Sequence, residues 1–493
     1  MNTEKTLFMK KVILRGLFYF VSILTLLSLF YGGFVFFKLL SVGKKVNIHN
    51  QPLLETAKSL STDIFPELRG VEKNKINILL LGIAGEGKPG KNLTDTIMIA
   101  SIDTEKKRVA FLSLPRDLLI SIPQTNLQAK INSAYQYFLG TSKNETEPAI
   151  ENFLQITKNI TGLDMDYYFI LNFDGFQKII DSIEGINVMN ERDILDTRFP
   201  GPNYSYETFE LAKGFHHLDG ATALKYARER HGDPEGDFGR AKRQQQVIQA
   251  AKNKIFSTKT FLDFSVLNNL LNALGDNIKT NVAPQEIGSF IKLIQRLDLQ
   301  NINTVVVDAW KKESLLKGTH VELGGTIGSV LVPRSGNYSE IKELAENIFS
   351  LEELKRKRAE IAKENSSIAI INQTSDNQIT GKIRHLLGTD LDYNNISILS
   401  GNQKGSEAKT QIYDLTGGVQ PFTLNELVTR LPGEANYAPT ESLKKLAEEE
   451  KIDMVISLGK DLLTRYNKEE VSWEEFNQTR DSQEYLELIG EIK

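Results

Sequence analysis

The chain contains no cysteine in its 493 residues, which excludes disulfides, thiolate nucleophiles and zinc-thiolate sites and fits an extracytoplasmic protein. It also lacks an excess of either charge. With 59 basic against 63 acidic residues and a formal net charge of −4, nothing attracts nucleic acid globally, so any basic site must be local. Histidine is scarce at six residues, and the adjacent pair His216-His217 lacks the spacing of a zinc site, so it reads as structural or surface. Long uncharged hydrophobic runs are also rare. The one at 16–37 exceeds the about 20 apolar residues that a helix needs to cross a bilayer.

Lys5, Lys10, Lys11 and Arg15 precede that run, and no small-residue cleavage site follows it. The expectation is an uncleaved signal-anchor: a single-pass transmembrane helix in the cell membrane with most of the chain extracytoplasmic. A cleaved signal peptide is the alternative. The expected organisation is a cytoplasmic head at 1–15, the span at 16–37, a stalk at 38–72, a first domain at 73–349, a charged linker at 350–367, a smaller second domain at 368–461 and a charged tail at 462–493.

Apolar runs at 76–85, 97–102 and 108–114 read as buried strands, each ending near Gly, Asp or Arg. Helical stretches are expected at 130–137, 147–161 and 176–183, with strands near 167–173, 185–188 and 302–307. A polar loop with two prolines is expected over 192–206. Alternating strands and helices indicate an α/β fold for both domains.

The stretch 219–252 gathers Arg228, Arg230, Arg240, Arg243 and Gln244 around a Gly/Pro/Asp-rich segment. A helix is expected over 221–227, and Asp237 suits the cap of a second one. One turn apart on that second helix, Arg240 and Gln244, with Arg243 beside them, suit one anionic ligand. Guanidinium groups pair with phosphate oxygens two at a time, so several suit a diphosphate; a solvated basic surface is the plain alternative. Asp95, between a glycine-rich loop and a strand, suits magnesium shared with substrate phosphates; taken alone, a loop or cap role is the plainer reading. Asp103 is a weaker metal candidate. Arg116 suits a phosphate, and Asp117 suits orienting an arginine or accepting a proton; a structural Arg-Asp pair fits the same residues. Lys130 and Asn132 suit an anion pocket or a helix start.

These segments occur in an order that resembles the LytR-CpsA-Psr family of cell-envelope proteins. They are NILLLG (77–82), TDT (94–96), SLPRD (113–117), KINSAY (130–135), EGINV (184–188), GFHHLDGATALKYARER (214–230) and DFGRAKRQQQVI (237–248). The segments IAIINQT and DMVISLGKD resemble a LytR-type C-terminal domain. The resemblance implies an α/β domain with a central mixed sheet and a hydrophobic tunnel for a polyprenyl chain. It also implies a phosphotransferase that moves a phosphoglycosyl polymer from a polyprenyl diphosphate to peptidoglycan or a protein acceptor. Arg116, Lys130, Arg228, Arg230, Arg240 and Gln244 would bind the diphosphate; Arg116, Asp117, Arg228 and Arg230 would act in catalysis. Asp95, with Asp103 second, would hold Mg2+. A polyprenyl diphosphate pyrophosphatase and a lipid-diphosphate-binding regulator are the alternatives; a nucleic-acid partner is not expected. Two positions depart from the family pattern: Leu93, where an arginine is usual, and Ala84, where Gly-x-Asp is usual. Glu86, Lys88 and Lys91 lie close enough in sequence to compensate.

Overall fold

The computed structural model describes residues 66–463, except 202–204, 231, 233–236, 256–274, 276, 310–313, 324, 400–408 and 432. The first domain contains, in order, β1 (Lys75–Ile83), β2 (Thr94–Asp103), β3 (Arg108–Leu114), β4 (Leu119–Ser121), β5 (Gln128–Lys130), α1 (Ile131–Thr141), α2 (Thr146–Thr161), β6 (Tyr167–Asn172) and α3 (Phe173–Ser182). It continues through β7 (Ile186–Asn190), β8 (Ile194–Pro200), β9 (Tyr206–Leu211), β10 (Gly214–Leu218), α4 (Gly220–Arg228), α5 (Asp237–Ile255), β11 (Ile278–Thr280), α6 (Ile287–Arg296), β12 (Asp298–Val306), β13 (Leu316–Leu323), β14 (Thr326–Pro333) and α7 (Ser339–Glu346).

Its six-stranded sheet runs β11-β6-β1-β2-β3-β12. β1 is parallel to β6 and β3 to β12, while β1–β2, β2–β3 and β6–β11 are antiparallel, so the sheet is mixed as expected. Both faces of β1 are buried because its side chains alternate between two cores. Leu79 and Leu81 join Ile97, Ile99 and Leu112 under α1, α2 and α7, whereas Ile76 and Ile78 join Ile102, Tyr167 and Phe290 of α6 on the far side. Leu79 is wholly buried, and Leu79→Ala would cost about 2–5 kcal/mol. A third core ties α3, α4 and α5 to the β7–β10 and β8–β9 ribbons through Ile180, Val188, Phe199, Phe209, Tyr226 and Val247. This unit carries the arginines.

α8 (Leu351–Glu364), with no buried residue, leads to the second domain: β15 (Ser367–Asn372), α9 (Gln378–His385), β16 (Asn395–Leu399), β17 (Thr410–Asp414), α10 (Pro421–Arg430), β18 (Gly433–Asn436), α11 (Glu441–Glu450) and β19 (Met454–Leu458). Its sheet runs β16-β15-β19-β17-β18 over a core that includes Ile370, Leu387, Leu427 and Ile456. The domains meet through ion pairs. Arg430 of α10 pairs with Glu343 of α7, and Lys357 of α8 lies 2.6 Å from Glu343 and 3.4 Å from Glu426.

Three expectations need correction. The transmembrane anchor is not borne out: among the described residues no helix is long and apolar enough to cross a membrane, and 16–37 lies outside them. The single-pass membrane placement that rested on it is withdrawn with it. The polar loop expected over 192–206 is instead the β8–β9 hairpin. Its inward residues, Ile194, Asp196 and Phe199, are out of simple alternation because the register shifts between Asp196 and Phe199. The expected stalk also gives way to folded structure before Lys75, since Leu68 packs into the far-side core.

Candidate functional site

β1, β3, β6 and β12 end, and antiparallel β2 begins, on one edge of the first sheet, where parallel strands commonly leave a ligand crevice. A cleft of about 210 Å3 opens there, and its polar wall includes Asp95, Arg116, Asp117, Lys130, Arg240 and Gln244. Ile97, Leu114, Val306, Val307 and Leu331 make its apolar wall. Gly82 of β1 lets the cleft residue Thr96 sit close, because a Cβ there would lie 2.9 Å from Thr96 Cβ.

The charges form a chain. Arg116 donates from Nη1 to Asp95 Oδ1 (2.8 Å), Arg116 Nε lies 3.6 Å from Asp117 Oδ2, and Lys130 Nζ donates to Asp117 Oδ1 (2.7 Å). With Arg240, whose exposure is 7%, three cations face two carboxylates in the wall. Such a wall can hold an anion. In an environment partly closed to water, each contact to it is worth more than on an open surface.

Arg228 ends α4, a helix capped by Asp219, which accepts from Thr222 N–H at 2.8 Å. Its guanidinium lies over Phe173 (4.6 Å) and Phe199 (5.2 Å), and among the described residues it makes no salt bridge. Burial lowers its pKa, while Asp95 and Glu207 act in the opposite direction. A half-buried cation held by two aromatic faces and near Asp95 retains donors for an incoming anion. Arg230, two residues further on, is also half-buried. Neither Arg228 nor Arg230 belongs to the described wall of the cleft itself.

Arg243 does not line the cleft with Arg240 and Gln244. Its Nε donates to Tyr226 O (3.1 Å) and its Nη2 to Glu229 O, so it binds carbonyls at the C-terminal end of α4. There a cation also meets the negative end of the helix dipole. Asp237, expected as a cap, is instead the first residue of α5. His216 and His217 lie on β10 and bond to Ala212 O (2.7 Å) and Asn187 Oδ1 (2.8 Å), away from the cleft wall.

Asp103 cannot share an ion with Asp95. The two residues stand at opposite ends of β2, eight steps apart, or roughly 26 Å at about 3.3 Å per residue. Asp103 instead pairs with Arg108 at 2.9 Å. Among the described residues no group of three or more His, Asp or Glu is arranged around a metal. Magnesium often uses only one or two carboxylates, completing its shell with water and phosphate oxygens. Asp95, 35% exposed and holding Arg116 through one oxygen, fits a single-carboxylate arrangement of that kind. Ala84 is buried at 5% and brings no ligand. Glu86 pairs with Lys91 at 3.1 Å, and Lys88 pairs with Asp174 at 2.7 Å. Sequence inspection missed Ser329, which the β13–β14 register brings to the cleft wall, and His320, its cross-strand partner, which is not itself part of that wall.

A model of the LytR_cpsA_psr family matches residues 36–322. The chain is 29% identical over 279 residues to the polyisoprenyl-teichoic acid–peptidoglycan teichoic acid transferase TagU of Bacillus cereus, which covers 57% of this chain and 82% of that protein. It is 35% identical over 234 residues to the regulatory protein MsrR of Staphylococcus aureus, covering 46% and 64%. The crystal structure of B. subtilis TagV is similar over 56% of this chain and 96% of its own, with 23% identity and a TM-score of 0.43. On the family match, which spans more than half of its length, the chain belongs to the LytR-CpsA-Psr family.

Proposed function

We propose that this protein is a phosphotransferase that moves a phosphoglycosyl polymer from a polyprenyl diphosphate to a hydroxyl of peptidoglycan or of a protein acceptor. The observation that carries the reading is the joining of a cationic wall to an apolar one. Arg116, Lys130 and Arg240 face the same cleft as Ile97, Leu114 and Val306, and Arg228 stands near Asp95 without a salt bridge among the described residues. Such a cleft suits a diphosphate joined directly to a hydrocarbon chain. At about 210 Å3 it is smaller than the roughly 300–1,000 Å3 of a typical ligand pocket, so it suits the diphosphate and first prenyl units rather than a whole chain. The name of the B. cereus relative, a teichoic acid transferase, supports the same class of donor and acceptor.

In this reading the acceptor oxygen attacks the phosphorus that bears the glycan, and polyprenyl phosphate leaves. The arginines and Lys130 hold the phosphoryl oxygens and oppose the charge that shifts to the leaving group, the main contribution of a protein to phosphoryl transfer. Asp95 would hold magnesium, which when bound neutralises part of the diphosphate charge. Pre-paired Arg116, Asp117 and Lys130 keep their side chains oriented before the donor arrives.

The test is to incubate the full chain with a synthetic prenyl-diphosphate-linked N-acetylglucosamine and polymeric peptidoglycan, with and without magnesium, and to measure prenyl phosphate. Acceptor-dependent release is expected. Release of free phosphorylated sugar without need for acceptor would instead show a pyrophosphatase. Tight binding without release would show a regulator, a reading favoured by the absence of a carboxylate at Ala84 and by the name of the S. aureus relative.

A further inference from the structure

β13 and β14 form an antiparallel ribbon in which Leu316 faces Pro333, Gly318 faces Leu331 and His320 faces Ser329. Cross-strand partners share a face, and every second pair repeats it, so these three pairs project to the same side. That side contributes to the cleft wall, which also takes in Thr319 and Val330 of the intervening pair. Leu316 is buried in the main core, Leu331 packs against it, and Gly318, Ser329 and Leu331 all contribute to the cleft wall. Gly318, with no side chain next to the His320–Ser329 pair, leaves space there.

His320 Nε2 lies 2.8 Å from Ser329 Oγ. Ser329 is exposed, whereas His320 is buried at 6% beneath it. An imidazole behind a hydroxyl that opens into a cleft is an arrangement able to take a proton from that hydroxyl. Burial lowers the pKa of His320, which favours the neutral ring with a lone pair to accept.

We propose that Ser329 and His320 are the proton-accepting pair for the acceptor hydroxyl, an inference that rests on the transferase reading above. In the step, the acceptor O–H bond breaks and its oxygen bonds to the phosphorus that bears the glycan. The bridging P–O bond breaks, and its electron pair leaves on polyprenyl phosphate. The hydroxyl proton passes to Ser329 Oγ as the serine's own proton passes to His320 Nε2. Ser329 touches the acceptor, while His320 acts through Ser329 and holds its orientation.

Ser329→Ala, His320→Gln and the double variant of the full chain test this, with the synthetic donor and peptidoglycan used above. The expected result is a kcat lower by about 100- to 10,000-fold in each single variant, the usual range for a lost acid–base group. The donor KM should stay unchanged, and the double variant should be no slower than the worse single one. Ser329→Ala changes an exposed position and keeps the test valid should His320→Gln fail to fold. A kcat within twofold of the unsubstituted chain in Ser329→Ala, or a loss of kcat matched by a loss of donor binding, would overturn the proposal. If the unsubstituted chain releases no prenyl phosphate, the transferase reading fails, and this inference falls with it.

Discussion

Arg116 donates to Asp95 across 2.8 Å, so the carboxylate proposed to hold magnesium is already tied to a cation through one oxygen. Asp95 would hold a magnesium ion there, whose positive charge would compete electrostatically with the guanidinium. Asp95→Asn keeps a carbonyl oxygen for Arg116 and removes the charge that attracts the ion. The magnesium concentration for half-maximal transfer should rise roughly 10- to 100-fold, as for loss of a metal-supporting group, with an unchanged melting temperature. A magnesium titration of prenyl phosphate release checks this, and an unchanged titration curve would remove Asp95 from the metal site.

Arg228 presents the opposite case, a cation with aromatic neighbours and, among the described residues, no salt bridge. Replacing it by methionine keeps contact with Phe173 and Phe199 but loses charge-assisted bonds to the diphosphate, worth about 1.5–3 kcal/mol. Affinity for a short prenyl diphosphate, read by calorimetric titration, should fall by roughly 10- to 150-fold. Stability should hold, because the folded protein no longer keeps a desolvated charge. Loss of stability without loss of affinity would make Arg228 structural.

What could be read from the sequence divides along physical lines. The strands KINILLLGI and RVAFLSL were legible because a strand buried on both faces is a continuous apolar run. The approach of Arg116, Lys130, Arg240 and Gln244 to Asp95 was legible through the order of motifs, not through spacing, since Lys130 and Arg240 are far apart in the chain. The β8–β9 hairpin was hidden by its own chemistry. Asp196 is buried where an apolar residue is usual, and a register shift breaks the two-residue period around it. The roles of Arg243 and Asp103 depend on which neighbour each finds across the fold. Equal charge and nearby position on one helix did not separate Arg243, which braces α4, from Arg240, which lines the cleft.

That difference yields a contrast in phenotype. Arg243→Ala leaves carbonyls at the end of α4 without their donor and removes a buried side chain, at a cost of about 2–4 kcal/mol in urea denaturation. Arg240→Ala should lower donor affinity with a smaller change in stability. The reverse ranking of the two variants would show that the ligand-facing and bracing roles have been exchanged.

Glu229, between Arg228 and Arg230 in the sequence, is fully buried and accepts from Gly232 N–H at 2.6 Å. Burial raises its pKa above the ordinary 4.5; the Gly232 bond opposes the shift and the neighbouring Asp196 carboxyl adds to it. A carboxyl whose pKa is higher in the folded state binds its proton more tightly there. Its contribution to stability is therefore full below the ordinary value and is lost as pH rises through the raised one. Glu229→Gln keeps an acceptor for Gly232 and cannot ionise. Its unfolding free energy should stay level over that window and exceed that of the unsubstituted chain at pH 8. Parallel pH profiles for the two proteins would show that Glu229 does not hold a proton in the fold.

Between the domains, Arg430 has a side chain only 4% exposed, bonds to Glu426 at 2.8 and 3.0 Å, and also pairs with Glu343 of the first domain. Asn337 of the first domain further donates to Arg430 O at 2.5 Å. Removing the guanidinium leaves Glu343 and Glu426 facing each other with Lys357 between them, and breaking a buried pair of this kind costs about 3–5 kcal/mol. Arg430→Ala should lower the stability of the full chain by that order, and the Glu343→Gln, Arg430→Ala double variant should lose less than the sum of the singles. Among the described residues the cleft draws no wall from the second domain, so donor affinity should be unchanged. Denaturation of all four proteins measures the coupling. Full additivity would mean that the second domain is held by its other contacts and that the ion pair contributes nothing of its own.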